Sequence, residues 1–218
     1  MEFNLTIAII VITSAVSLYA MGKREVLYKL MMNPYMVTHR GQYYRLVTSG
    51  FIHKDHVHLI FNMLSLYFFG PNLEYYFDEI FGPLGPAYYV AMYILGVVVS
   101  DLPTVLKHRN NPAYNSLGAS GAVAAVIFAC ILFDPLSNLY LYFAIPIKGF
   151  IFAILYLIYS YVSAKRSRDG INHDAHLYGA LFGVLFCIVL YPDSIRIFLE
   201  QISLLFLLLL SKLDDLDL

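Results

Sequence analysis

Six apolar runs set the terms for this chain. They extend from about Asn4 to Ala20, His56 to Phe77, Pro86 to Val105, Leu117 to Phe133, Lys148 to Ser163 and Ala175 to Tyr191. A helix needs about 20 predominantly apolar residues to cross the hydrocarbon of a bilayer, somewhat fewer where its ends snorkel or the membrane thins. All six runs come near that length. A soluble domain of 218 residues has too little interior for them, since 60% of the residues are hydrophobic, 13% are charged and the mean hydropathy is +0.67. The expected fold is therefore all-α, a polytopic membrane protein with a six-transmembrane-helix bundle. It forms a single domain over residues 1–218, with a core from about 40 to 192. The opening MEFNLTIAII carries an acid and no Arg-rich stretch or small-residue cleavage site, so the first run is read as a retained helix.

Two segments lie outside this count. Met21 to Asp55 is too rich in Leu, Met and Tyr for a solvated linker and is expected to form short helices embedded at the membrane surface. The segment from about 195 to 213 contains LLFLLLL but is interrupted by Arg196, Glu200 and Gln201, which favours an amphipathic peripheral helix over a seventh span. The formal net charge of -1 and the lack of a basic block argue against nucleic-acid binding, which depends on clustered Lys and Arg. Cys130 and Cys187 both sit inside apolar runs, where a thiol behaves as a small hydrophobe. The HKDHVH cluster (His53, Asp55, His56, His58) lacks the HExxH spacing of a helix-borne zinc site. No metal or other cofactor is expected.

Membrane helices alternate in direction, so the second, fourth and sixth runs begin at one face. Ser116 would cap the fourth, with Ser120 about one turn inside. His176 falls in the first turn of the sixth run, His58 in that of the second, and Asn62 stacks one turn below His58. Four polar side chains from three helices thus share one depth. Gly118 and Gly121 flank the serine, and Gly179 and Gly183 form a Gly-x-x-x-Gly face below His176. Small residues of this kind let helices pack, and on its own NSLGASGAVAAV reads as a packing motif. Packing, however, does not call for a histidine at the matching level. A serine hydroxyl becomes a nucleophile when a base takes its proton, and neutral imidazole suits that task. His58, the Asn62 amide and the Ser120 N–H could then donate to an oxyanion. Asp174 points away from His176, which leaves a Ser–His dyad.

These residues resemble the rhomboid intramembrane serine proteases over about Tyr43 to Gly183. The matching pieces are His58-x-x-x-Asn62, Gly118-Ala-Ser120-Gly121 and Ala175-His176-x-x-Gly179-x-x-x-Gly183. The resemblance implies a serine endopeptidase with Ser120 as nucleophile, His176 as base, and His58 with Asn62 at the oxyanion site. It implies hydrolysis in or near the helices of single-pass membrane proteins, with those substrates and the lipid bilayer as partners. It also gives Tyr44-Arg45 the place of a Trp-Arg pair in the first loop and makes Glu74 a structural acid at the far end of the second run. The alternative is a non-catalytic relative that binds or traffics membrane helices; such proteins usually lack the serine or the histidine.

One departure stands out: Ala124 occupies a place where relatives carry a ring that packs on the histidine, and Tyr178 is the expected substitute. His173 is expected at the water surface. Of the 14 Lys and Arg, 11 lie in the first, third and fifth loops, which the positive-inside rule would make cytoplasmic, whereas the resemblance implies the opposite face. The expected location is a bacterial plasma membrane. The sequence leaves the oligomeric state open.

Overall fold

A computed structural model describes residues 4–141, 144–166 and 169–214. The described residues are mostly helical: α1 (Leu5–Met21), α2 (Arg24–Leu30), α3 (Pro34–Arg40), α4 (Arg45–Thr48), α5 (His56–Phe81), α6 (Gly85–His108), α7 (Ser120–Phe133), α8 (Gly149–Arg166), α9 (His173–Leu190) and α10 (Asp193–Asp214). Among the described residues, the stretch His56–His108 and α9 are long and apolar enough to cross a membrane, while α1 and α7 are apolar but shorter.

The bundle is built around α7, in which every residue except Ser120 and Ile127 is buried. Its closest partner is α9. A Cβ on Gly179 would collide with the carbonyl oxygen of Gly121, and one on Gly183 with that of Ala125, so the two backbones touch. The pairings Gly121 with Gly179 and Ala125 with Gly183 also show that α7 and α9 run in the same direction. At their far ends Phe77, Phe133, Phe186, Tyr76 and Tyr191 fill the interior, with Tyr76 and Phe133 ring centroids 5.3 Å apart.

Polarity inside this bundle is inverted relative to a soluble protein. Thr6, Thr13, Ser17, Ser100, Asp101, Thr104 and Ser160 are buried, while Val11, Ile60, Phe61, Leu155, Ile158, Leu185 and Val189 are exposed. A broad exposed apolar rim is what a bilayer covers. On α1 the whole buried face consists of Thr6, Thr13, Ser17 and Ala20, and the Thr6 hydroxyl lies 2.6 Å from that of Tyr89. The Glu74 carboxylate accepts from the N–H groups of Leu5 (2.9 Å) and Thr6 (2.7 Å), which joins the end of α5 to the start of α1. An acid there satisfies donors that the first turn of a helix cannot pair internally.

The connection between α1 and α5 is folded as α2, α3, α4 and a 3-10 turn over Ser49–Phe51. Arg45 is 7% exposed and holds this connection together. Its guanidinium donates to the carbonyls of Tyr28 (2.8 Å) and Met31 (2.6 Å) and to the Gln42 side chain (2.7 Å), with the Tyr44 ring 5.5 Å away.

The run LYLYFAIP would suit an aromatic belt at the interface, but its described residues enter the antiparallel pairing of β1 (Asn138–Leu141) with β2 (Ile145–Lys148), and Tyr142 and Phe143 lie outside the described residues. Lys148, which could snorkel to the interface from the start of the fifth run, spends its ammonium on the Leu136 carbonyl at 2.7 Å. The helix carrying Ser120 begins at that residue, a turn later than Ser116 capping would give. Ser116 is instead bridged to Met32 by two backbone hydrogen bonds of 2.9 and 3.1 Å, and Gly118 takes φ +126°, a left-handed conformation that stops a helix from extending back through it.

The segment after α9 forms α10, which lies across the end of the bundle. The α7–α9 register carries Phe133 to the level of Tyr191, and Gln201, well into α10, still donates to the Phe133 carbonyl at 2.8 Å. A helix returning through the bundle would have left that level by Gln201.

Candidate active site

Ser120 and His176 stand at the starts of α7 and α9, both half-buried, and the His176 Nε2 lies 2.9 Å from the Ser120 Oγ. The pairing follows from the parallel course of the two helices and from the absence of side chains at Gly121 and Gly179 directly below it. With Ser120 as the first residue of α7, its N–H is among the donors that a helix start leaves without an internal acceptor.

His58 packs against the loop before the serine: a Cβ at Gly118 would sit 2.6 Å from its Cε1. The backbone N–H of His58 is capped by Asp55 at 2.8 Å, and its Nδ1 is buried without a partner among the described residues. Asn62 is buried below it, and its amide donates to the His58 carbonyl at 2.9 Å, so one of its two N–H bonds is spent within α5.

His53 is fully buried beside this loop. The Ala119 N–H donates to its Nε2 at 3.3 Å, which fixes the tautomer with hydrogen on Nδ1, and that hydrogen points to the Ser17 hydroxyl at 3.2 Å. Burial lowers its pKa from an ordinary 6.5 to about 3, with the neighbouring His58 adding to the effect. Neutral His53 therefore links α1 to the residue before Ser120. Among the described residues no group of His, Cys, Asp and Glu is arranged to hold a metal.

The surroundings of His176 differ from expectation. Tyr178 is 41% exposed and does not cover the imidazole. The ring stacked on His176 is Tyr156 of α8, at 6.4 Å between centroids and 26° between planes. Nor is His173 at the water surface. It is 3% exposed, meets His176 edge to face at 5.7 Å, and is bonded through Nε2 to Asp169 at 3.0 Å. Tyr159 of α8 covers it edge-on at 5.5 Å, which removes it from solvent. Asp174 does point away from His176, toward Lys107 at 2.7 Å.

Sequence reasoning missed the brace under α9. Asn172 accepts from the Ala175 N–H at 3.1 Å as the helix cap, while its amide donates to buried Asp101 at 3.1 Å and its oxygen accepts from Thr104 at 3.0 Å. A lone acid inside an apolar run was the available signal, because an unpaired carboxylate is costly there.

A half-buried serine bonded to an imidazole from a neighbouring helix, in a bundle with an apolar rim, defines a helical membrane protein with a Ser–His pair near one surface. The chain belongs to the rhomboid family: the model for the Rhomboid domain matches residues 40–193. It is accordingly an integral membrane protein. The mitochondrial RHOMBOID-like protein 12 of Arabidopsis thaliana is 29% identical over 171 residues, covering 70% of this chain and 49% of its own. An uncharacterised mitochondrial rhomboid protein of Schizosaccharomyces pombe is 27% identical over 205 residues, 71% of this chain and 52% of its own. YdcA of Bacillus subtilis, whose name assigns it provisionally to the rhomboid proteases, is 29% identical over 145 residues, 66% of each chain. The chain spans about half the length of the plant and fission-yeast relatives.

Proposed function

We propose that this chain is an intramembrane serine endopeptidase that crosses the bilayer six times, through α1, α5, α6, α7, α8 and α9, and cleaves single-pass membrane proteins in or near their transmembrane helices. The observation that carries the reading is the 2.9 Å contact between Ser120 Oγ and His176 Nε2. In the proposed reaction His176 takes the hydroxyl proton as Ser120 attacks the scissile carbonyl, then gives it to the leaving amine. Water, deprotonated by the same imidazole, releases the acyl group. The Ser120 N–H, His58 and the remaining N–H of Asn62 are the donors assigned to the oxyanion. Loss of one such donor commonly costs about 100- to 1,000-fold in kcat.

A bacterial plasma membrane has the Bacillus relative on its side, while the plant and fission-yeast relatives are named as mitochondrial and support an organellar membrane. The test is cleavage of a single-pass substrate in liposomes by the wild type, Ser120→Ala and His176→Ala. Turnover by the wild type alone is expected. Equal cleavage by all three would remove the dyad, and substrate binding without cleavage by the wild type would favour a helix-binding role.

A further inference from the structure

Among the described residues the His176 imidazole has one hydrogen-bonding partner, Ser120, and no carboxylate bonds its second ring nitrogen. Its orientation therefore depends on what packs against it. The serine helix offers no ring: Ala124, one turn below Ser120, is buried in a cluster with Phe128, Ala180, Phe152 and Tyr156. The two alanines leave the space into which α8 leans. From α8, Tyr156 stacks on His176 and Tyr159 stands edge-on to His173, which itself stands edge-on to His176. Residues three apart on a helix share a face, so Tyr156 and Tyr159 on α8 meet His176 and His173 on the antiparallel α9 as two matched rungs. Asp169, bonded to His173 Nε2, anchors the outer rung.

We propose that α8 supplies the ring that α7 lacks: Tyr156, together with Tyr159 acting through His173, are positioning residues for the His176 imidazole, so the seat of α8 on α9 sets the aim of the base. The inference rests on reading Ser120 and His176 as nucleophile and base. Stacking needs a ring and not a hydroxyl, so Tyr156→Phe preserves the function and Tyr156→Ala loses it. A second variant asks whether the ring matters more than its origin. Because Cβ atoms tilt toward the start of a helix, a tyrosine at 124 would lean toward His176, and the space vacated by Tyr156→Ala would admit it.

The experiment compares wild type, Tyr156→Phe, Tyr156→Ala and the double variant Ala124→Tyr/Tyr156→Ala in liposomes, with Ser120→Ala and His176→Ala as references. The side-chain 15N resonances of His176 are recorded for each as a readout that needs no turnover. Tyr156→Ala is expected to lower kcat by about 10- to 100-fold with little change in KM and to shift or broaden the His176 resonances, as misaimed catalytic groups do. Tyr156→Phe should keep wild-type kcat and resonances, and the double variant should recover most of both. Tyr156→Ala with unchanged kcat and unchanged resonances, while Ser120→Ala and His176→Ala are dead, would overturn this inference and leave the dyad standing. A Tyr156→Phe variant as slow as Tyr156→Ala would equally overturn it. If wild type and Ser120→Ala do not differ in turnover, the proteolytic reading fails, and the resonances alone decide whether Tyr156 orients the imidazole.

Discussion

Two of the helices packed against α9, α7 and α8, hold it in different ways. Against α7 the contact is backbone to backbone, closed at Gly179 and Gly183, and almost every residue of α7 is buried. Against α8 the contact around His176 and His173 is made by rings, and α8 itself buries only Gly149 and Ser160 while Ile151, Ile154, Leu155 and Ile158 face outward. The first joint has no slack because there is no side chain to rearrange. The second can change rotamers or slide. The distance between serine and histidine is thus set by the rigid joint, and the orientation of the histidine by the compliant one.

The sharpest way to break this contrast is Gly183→Val. Its branched side chain meets the Ala125 carbonyl, so the cost should lie at or above the upper end of the ~1–3 kcal/mol typical of overpacking. Loss of folded protein in a detergent melting assay is the expected result. A stable variant would show that the α7–α9 joint yields.

His53 tests how the loop before α7 is pinned, through pH. The unfolded chain takes up a proton on this ring below an ordinary 6.5, whereas the folded chain resists until about 3. Stability from neutral His53 is thus complete above that window and falls as pH drops through it. The melting temperature should decline on acidification below 6.5, and His53→Gln should flatten the slope. Equal slopes would free the loop from His53.

At the far end, Glu74→Gln keeps the shape of the side chain but removes the charge facing the start of α1. A loss of about 1.5–3 kcal/mol is expected, the range of hydrogen bonds to charged groups, with the dyad unaffected. The smallest effect is assigned to Lys107→Ala. Its bond to Asp174 is half exposed on the lysine side, and surface pairs contribute about 0–1 kcal/mol. A larger loss would mean that the start of α9 depends on this pair as well as on its Asn172 cap.

How much could be read without coordinates follows the same division. Ser120 and His176 were legible because helix direction alternates and small residues mark where backbones meet; both are properties of spacing. The position of Tyr156 was not, because nothing in the spacing of α8 says which of its faces turns to α9. His173 looked like a surface residue next to a polar turn until Tyr159 and Asp169 covered it. The late start of α7 depends on the left-handed Gly118 and on the Met32 bridge, a contact between segments far apart in the chain. The pairing of Asn138–Leu141 with Ile145–Lys148 was hidden because aromatic and aliphatic residues suit an interface belt equally well.

The central claim is that His176 activates Ser120. It is tested most directly by the rate at which a fluorophosphonate modifies Ser120 in bilayers, with the modified residue located by mass spectrometry. Wild type should be labelled at Ser120, and His176→Ala should be labelled slower by at least about 100-fold, the low end of what a positioned general base contributes. Equal rates in the two proteins, or label carried elsewhere than Ser120, would contradict the account.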